Sequence, residues 1–353
     1  RRALDVAAVL AHLGFGVAAG ALYGLLRPRA RGVGGGAMFG LAVWAVSYAG
    51  WVPRLGLMLP PSFDRPGRPG SMILAHLVYG ATLASIHRRL AWGRRPLAGR
   101  VAVIGGASRG LGRALARELA REGSSVAITA RSGSDLASAR AELASFGVPV
   151  FAEACDLRSE DETRAFLQRA AQRLGPVDVL IANAATLAVS PIETTTATDF
   201  HEARRSIFDT SLHPVLAVLP SMQSRGGGTI AFITSLGGKV GVPHLAPYST
   251  AKFAQLGFAE ALRAEVAKDG VRVLTVIPGL MRTGSHLRAR FRGDTEKELS
   301  WFGAAATAPG ISIDADRAAR RIVRAIARGD EELVYTLPAR VVARTHDLAP
   351  GLF

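Results

Sequence analysis

The feature that most constrains the fold is a short apolar strand that runs directly into a glycine-rich turn and an alanine-rich helix. Residues 101–105 read VAVIG, and residues 106–121 continue as GASRGLGRALARELAR. The spacing of Gly106, Gly110 and Gly112 allows a tight turn and a close backbone approach to a pyrophosphate. The N-terminus of the following helix then offers free N–H groups to the phosphates. This order of strand, turn and helix predicts a dinucleotide-binding unit.

Beyond this unit, apolar strands continue to alternate with Ala- and Arg-rich helical stretches. Such alternation is typical of a parallel sheet with helices on both faces. The sequence therefore predicts an α/β fold, a doubly wound parallel sheet (Rossmann fold), over residues 98–340, with a C-terminal tail at 341–353. The later strands are expected at SVAITA (125–130), VDVLIAN (177–183), GTIAFITS (228–235) and VRVLTVIPG (271–279).

The segment before residue 98 has a different composition. Three stretches, at 6–26, 32–53 and 69–86, contain no Asp, Glu, Lys or Arg. The first two are long enough to cross a bilayer, and the third is marginal. All three are rich in Gly and Ala, which lets membrane helices approach closely. We therefore expect an α-helical transmembrane bundle over residues 1–97, preceding the sheet.

Arginines predict how this bundle is oriented. They follow the first stretch at Arg27, Arg29 and Arg31, and the third at positions 88–100. With three spans, both segments lie on one side of the membrane, and the positive-inside rule makes that side cytoplasmic. We expect a bacterial inner membrane, with the domain at 98–340 in the cytoplasm. Residue 1 would then lie outside, which suggests a further span upstream.

Charge and cysteine content narrow the function classes. The net charge is +15 and comes almost entirely from arginine. The chain lacks the aromatic-interleaved basic patch and the zinc-finger spacing of nucleic-acid binders, so no nucleic-acid partner is expected. An anionic membrane surface accounts for the charge better. Cys155 is the only cysteine, which excludes an internal disulfide and a cysteine-based metal site, and we predict no metal.

Residues 105–112, GGASRGLG, resemble the TGxxxGIG cofactor loop of short-chain dehydrogenases/reductases, with Gly105 in place of the leading Thr. The resemblance covers about residues 99–340. It implies that a nicotinamide cofactor binds at this loop. The residues implied there are Gly106, Ser108, Arg109, Gly110, Leu111 and Gly112.

The resemblance implies further cofactor contacts. Asp156 resembles the acid that contacts the adenine amino group, and Asn183, in ANAA, resembles the NNAG stretch beside the adenine ribose. Pro278, Gly279 and Thr283 resemble the PG-x-x-x-T segment that shapes the nicotinamide pocket.

Charge at the adenosine ribose predicts which cofactor is used. An acid at the end of the second strand would repel a 2′-phosphate, but here Ala130 is followed by Arg131. Arg109 in the glycine loop could reach the same phosphate, and the nearest acid is Asp135. Two guanidinium groups favour NADP(H) over NAD.

Tyr248 and Lys252 form a Y-x-x-x-K motif, which places both residues on one helix face. A neighbouring ammonium should lower the pKa of the Tyr248 hydroxyl, which could then exchange a proton with a carbonyl or alcohol oxygen. Ser235 lies 13 residues before Tyr248, at the family's spacing for the Ser that binds the substrate oxygen. The resemblance also implies that Lys252 holds the nicotinamide ribose. Together they predict hydride transfer between a carbonyl and an alcohol.

One family residue is missing. The family usually has an Asn, on the helix before the Ser strand, that holds a water linking the Lys to bulk solvent. The corresponding stretch at 208–214 reads FDTSLHP. Thr210 or Ser211 could substitute for the Asn, or His213 could serve the proton relay.

Residues 284–312 resemble the family's substrate lid and mix arginines with Phe291, Trp301 and Phe302. Near a bilayer, such a segment suggests a hydrophobic or lipid-like carbonyl substrate, with a soluble substrate as the alternative.

The family resemblance suggests a homodimer or homotetramer. Two other functions stay open: a degenerate reductase that acts as a membrane-tethered NADP(H)-binding sensor or scaffold, and a transport-linked protein in which the helical bundle is the working part.

Overall fold

The computed structural model describes residues 2–26, 33–90, 97–284, 288–307 and 312–352. The chain divides into two compact units, Arg1–Arg94 and Arg95–Phe353.

A seven-stranded parallel sheet forms the centre of the second unit, in the order β7-β6-β5-β4-β1-β2-β3. This confirms the predicted doubly wound parallel sheet. The strands are β1 Val101–Gly105, β2 Ser125–Ala130, β3 Val150–Ala154, β4 Val179–Ala182, β5 Gly228–Ile233, β6 Val271–Pro278 and β7 Glu332–Tyr335.

Helices cover both faces of this sheet, which explains why β1 is apolar at every position. Neighbouring residues of a strand point to opposite faces, so Ile104 joins the core on one side and Val103 the core on the other. The first face carries α4 Gly110–Arg121, α5 Gly133–Ala144 and α11 Ala315–Arg328. The second face carries α6 Glu160–Leu174, α8 Thr210–Ser224 and α9 Ala246–Val266.

Short elements complete the second unit. Helix α7 spans Ala197–Ala203 and continues through a π-helical segment, Arg204–Asp209, into α8. Helix α10 spans Thr295–Thr307, within the predicted lid. Helix α12 spans Leu337–Leu348, so the predicted boundary at residue 340 falls inside a helix.

The strand order reverses between β1 and β4, which is where parallel α/β sheets bind ligands at the carboxyl ends of their strands. The glycine loop follows β1, Asn183 follows β4, Ser235 follows β5 and Gly279 follows β6. The topology therefore gathers most of the predicted site residues at one edge of the sheet.

The first unit consists of helices. They are α1 Arg2–Leu26, α2 Val33–Val46 and α3 Arg68–Leu90, and α2 continues through a π-helical turn at Ser47–Trp51 into Val52–Arg54. Glycines allow α2 and α3 to touch backbone to backbone. A Cβ atom on Gly40 would lie 1.9 Å from the carbonyl oxygen of His76, and one on Gly80 would lie 2.0 Å from that of Gly36. This is the close approach of small residues that we expected from the composition.

Two described helical segments, Val33–Arg54 and Arg68–Ile86, are long and apolar enough to cross a membrane. The first predicted span contains a shorter apolar segment, Leu13–Leu25. Core helices of soluble proteins and signal sequences can have the same length and composition, so these helices alone support a membrane anchor weakly. The predicted arginine-rich link at 27–31 and residues 91–96 of the predicted segment at 88–100 lie outside the described residues.

Candidate active site

The glycine loop has the backbone shape that a phosphate cradle needs. Gly106 has φ +67°, a conformation that favours glycine. A Cβ atom on Gly112 would lie 2.2 Å from the carbonyl oxygen of Gly106, so the helix can pack here only without a side chain. The N-cap residue of α4, Arg109, makes no side-chain capping hydrogen bond in the described structure. The N–H groups of the first turn are therefore suited to bind an anion.

Two neighbours hold this loop in place. The side-chain amide of Asn183 donates to the carbonyl oxygens of Gly105, at 3.0 Å, and Gly106, at 3.2 Å. A Cβ atom on Gly105 would lie 2.7 Å from Cδ1 of Leu157, a buried side chain. The side chain of Leu157 thus occupies space that a side chain at position 105 would need.

The other residues predicted to contact the cofactor lie in and beside the glycine loop and at the end of β6. Ser108 and Leu111 are buried against the fold. Thr283 lies beside the loop, because a Cβ atom on Gly110 would come within 3.6 Å of both its Cβ and its carbonyl oxygen. Pro278 ends β6, and Gly279 lies against Thr336, whose Oγ1 would be 2.6 Å from a Cβ atom at 279.

The end of the site predicted to hold the adenosine is charged and exposed. Arg109 pairs with Asp135 at 3.5 Å, and about half of each side chain is exposed. Arg131 is exposed and lies near enough to Asp156 to favour its charged form.

Asp156 also has a partner that sequence reasoning missed. The Arg158 guanidinium bonds both of its carboxylate oxygens, with Nε at 2.9 Å from each. This contact holds the pKa of the Asp156 carboxyl below its ordinary value. The signal in the sequence was an arginine only two residues further on, in CDLR.

Ser235, Tyr248 and Lys252 come together at the carboxyl end of β5. Ser235 caps a short 3-10 turn, where its Oγ accepts from the Gly237 amide at 3.1 Å. Its side chain also forms a hydrogen bond with Tyr248. Lys252, one helical turn after Tyr248 on α9, has its Nζ 5.9 Å from the centroid of the Tyr248 ring. The structure therefore brings together the three residues that the motif predicted.

Burial shifts the pKa values of both Tyr248 and Lys252. It raises the pKa of the Tyr248 hydroxyl, although the hydrogen bond with Ser235 opposes the change. It lowers the pKa of the Lys252 ammonium to about 7. We expected the pKa of Tyr248 to be lowered by Lys252. The direction differs because burial removes the phenolate from water. This desolvation raises the pKa of Tyr248 more than the hydrogen bond with Ser235 lowers it.

Lys252 is held by groups that the motif did not include. Its Nζ donates to the carbonyl oxygen of Ile233 at 2.8 Å and to Oε1 of Gln255 at 2.9 Å. Gln255 in turn donates from Nε2 to Oγ of Ser211 at 2.6 Å. Sequence reasoning missed Gln255. The available signal was a polar residue three positions after Lys252 on the buried side of α9.

The three predicted substitutes for the missing Asn have different hydrogen-bond partners. Thr210 is bonded to backbone oxygens, including that of Ala184 at 3.0 Å. His213 has Nδ1 3.1 Å from the carbonyl oxygen of Leu157. Among the described contacts of these three candidates, only those of Ser211 lead to Lys252, through the side chain of Gln255.

The predicted lid contacts the loop that leads to Tyr248. Glu298 on α10 is buried and lies 2.8 Å from Nδ1 of His244. Arg290 and Phe291 pair with Ala188 and Val189 in a short parallel ladder. Residues 285–287 and 308–311 and the side chain of Trp301 lie outside the described part.

The chain is similar in sequence to proteins of one known family. The family model described as short chain dehydrogenase matches residues 100–291. A putative ketoacyl reductase of Streptomyces coelicolor is 38% identical over 189 residues, which are 52% of this chain and 71% of that protein. A dehydrogenase/reductase SDR family protein 7-like of Drosophila melanogaster is 30% identical over 265 residues, 74% of this chain and 80% of that protein.

A solved structure has a similar fold. The crystal structure of a short-chain dehydrogenase from Streptomyces avermitilis has a TM-score of 0.63 and 26% sequence identity. The match covers 72% of this chain and 94% of that one.

Proposed function

Since the chain belongs to the short-chain dehydrogenase family, whose members are oxidoreductases of carbonyl and alcohol groups, we propose that it is a membrane-anchored, NADPH-dependent carbonyl reductase. The observation that carries the proposal is the meeting of Ser235, Tyr248 and Lys252 beside a glycine loop suited to phosphates. Residues 98–340 form the catalytic domain in this proposal.

Each residue of the group has a role in reduction. Tyr248 donates a proton to the substrate carbonyl oxygen, and its raised pKa keeps the hydroxyl protonated for this step. Ser235 donates a hydrogen bond to the same oxygen and orients it. Lys252 holds the nicotinamide ribose, and its positive charge favours the phenolate that remains after proton transfer. NADPH, when bound, supplies the hydride.

The preference for NADPH rests on the adenosine end of the site. Arg109 and Arg131 offer two guanidinium groups near the end of β2, and a 2′-phosphate would accept bidentate hydrogen bonds from either. Asp156 and Asn183 are assigned to the adenine and its ribose. Pro278, Gly279 and Thr283 are assigned to the nicotinamide end.

A hydrophobic substrate is part of the same proposal. Two relatives, from Streptomyces coelicolor and Streptomyces violaceoruber, carry names that describe them as putative ketoacyl reductases. A ketoacyl chain is an apolar carbonyl compound, in keeping with a lid that mixes exposed arginines with Phe291 and Phe302. The glycine contacts between α2 and α3 support a membrane anchor. We place the catalytic domain in the cytoplasm at a bacterial inner membrane.

Self-association is also proposed. Leu216 on α8 and Phe253 on α9 are large apolar side chains with 52% and 42% exposure. Exposed apolar groups on neighbouring helices are suited to contact a second copy. We propose a homodimer or homotetramer, which analytical ultracentrifugation in detergent would test.

The first test measures NADPH oxidation by detergent-solubilised protein with a panel of ketones, aldehydes and 3-ketoacyl thioesters graded by chain length. Turnover that rises with chain length and is lost in Tyr248→Phe is the expected result. Equal turnover of short, soluble substrates would contradict the lipid-like substrate. Bound NADPH without turnover of any panel member would favour the NADP(H)-binding sensor.

A further inference from the structure

The ammonium of Lys252 has three N–H groups, and the fold engages two of them. One donates to the Ile233 carbonyl oxygen at the end of β5, and one donates to the side-chain oxygen of Gln255. The Tyr248 ring lies on another side of Nζ, with its centroid 5.9 Å away. Lys252 is therefore oriented by one backbone group and one side chain.

Gln255 is itself fixed by a chain of hydrogen bonds. Its Nε2 donates to Ser211, and the Ser211 hydroxyl donates to the carbonyl oxygen of Ile207 at 2.9 Å. Gln255 and Ser211 have no exposed surface, and Ile207 lies in the π-helical segment before α8. Every bond in this chain has its donor on the Lys252 side, so the chain starts at the ammonium and ends at a backbone acceptor.

The direction of these hydrogen bonds has two consequences. The amide oxygen of Gln255 faces the positive charge, and an acceptor next to a buried ammonium stabilises its charged form against the cost of burial. The chain also ends at Ile207, a residue with no exposed surface. An amide does not readily pass on a proton, so this chain is not a path to bulk solvent.

We propose that Gln255 is a positioning residue that keeps Lys252 charged and aimed at the cofactor ribose, with Ser211 holding the amide in the required orientation. The inference rests on the proposed function, because it assumes that Lys252 binds the nicotinamide ribose. It assigns the place of the family's missing Asn to the direct contact between the side chains of Gln255 and Lys252.

The experiment measures NADPH affinity against pH for the full chain in detergent, using NADPH fluorescence without a carbonyl substrate. Affinity should fall as the pH rises and Lys252 loses its proton. Lys252→Met, which cannot titrate, should lose this dependence and so assign the midpoint to Lys252.

Two substitutions at Gln255 should move the midpoint in opposite directions. Gln255→Leu removes the acceptor and should move it down by about one pH unit, equivalent to about tenfold in the protonation equilibrium. Gln255→Glu keeps the shape and adds a negative charge, so it should move the midpoint up. Ser211→Ala, which frees the amide, should give a smaller downward shift.

Ser249→Ala is the matched control. Ser249 is a buried hydroxyl on the same helix, and its Oγ has no hydrogen-bond partner within the described residues. Its removal should leave the midpoint unchanged, whereas a purely structural role for Gln255 predicts lower thermal stability with no shift of the midpoint.

The outcomes separate the two proposals. Midpoints that agree in all Gln255 variants, with NADPH still bound, would overturn the role of Gln255 alone. If Gln255→Leu does not fold, Gln255→Glu decides the question, since an unchanged or lowered midpoint there contradicts the inference. Wild-type protein that does not bind NADPH would overturn the proposed function and this inference together.

Discussion

The two ends of the candidate cofactor site are built on opposite principles. At the catalytic end, Lys252, Gln255 and Ser211 are buried and linked by hydrogen bonds of 2.6–2.9 Å. At the adenosine end, Arg109 and Asp135 form an exposed pair at 3.5 Å. Burial lowers the pKa of Lys252 and makes the loss of a hydrogen-bond partner costly at the catalytic end, whereas water screens the charges at the adenosine end. Substitutions should therefore have large effects at one end and small effects at the other.

The largest effect is expected for Tyr248→Phe. Removing the hydroxyl removes the proton donor, so kcat should fall by about 100-fold to 10,000-fold, the usual contribution of general acid–base catalysis. Steady-state NADPH oxidation measures this, and NADPH affinity should stay within about twofold since the ring is kept. A variant with near-normal kcat would show that another group donates the proton.

The pH dependence of the wild-type enzyme comes next. The Lys252 ammonium has its pKa lowered to about 7, so it is charged below that pH and neutral above it. If the reaction needs the charged form, kcat/KM for NADPH should fall as the pH rises through about 7. A profile that is flat from about pH 6 to about pH 9, which lie on either side of this pKa, would contradict a catalytic need for the ammonium.

A smaller effect is expected at Arg131. Arg131→Asp replaces a phosphate-binding group with a repelling one, so the preference for NADPH over NADH should fall by about 10-fold to 100-fold, as for one lost hydrogen bond to a charged group. The ratio of the two kcat/KM values measures this. Arg140→Asp, an exposed arginine on α5, provides a matched change of charge. Equal loss in both variants would indicate a general charge effect.

The smallest effect is expected at the exposed pair. Asp135→Ala releases Arg109 to bind a 2′-phosphate, so NADPH affinity should rise by about twofold, the scale of an exposed ion pair. The gain should shrink as salt is raised, because salt screens exposed charges. Titration calorimetry at two salt concentrations measures it, and a loss of affinity would mean that Asp135 itself contacts the cofactor.

The comparison also shows where sequence reasoning succeeds. The glycine loop and the Tyr248–Lys252 pair were predictable because each motif is local and its spacing follows from one turn or one helix. Ser235 was predicted from its resemblance to the family's spacing. The parallel sheet was predictable because its strands are apolar at successive positions, as strands covered on both faces must be. The roles of these residues stay predictions until activity is measured.

Contacts between distant segments were not predictable in the same way. Ser211 and Gln255 are 44 positions apart, so neither residue's neighbours in the sequence indicate the hydrogen bond between them. The contact between Leu157 and Gly105 was not predictable for the same reason, because the two residues are distant in the sequence. The predicted direction of the Tyr248 pKa shift was wrong because the shift depends on burial, which is a property of the packed fold.

The sequence alone determined the α/β architecture and which side chains are available for chemistry, because strand patterning, glycine spacing and helical periodicity are local. Only the tertiary structure decided which groups surround Lys252 and how much water they exclude. Those two quantities set the charge of a buried ammonium, since desolvation and hydrogen bonding act only once the chain has packed.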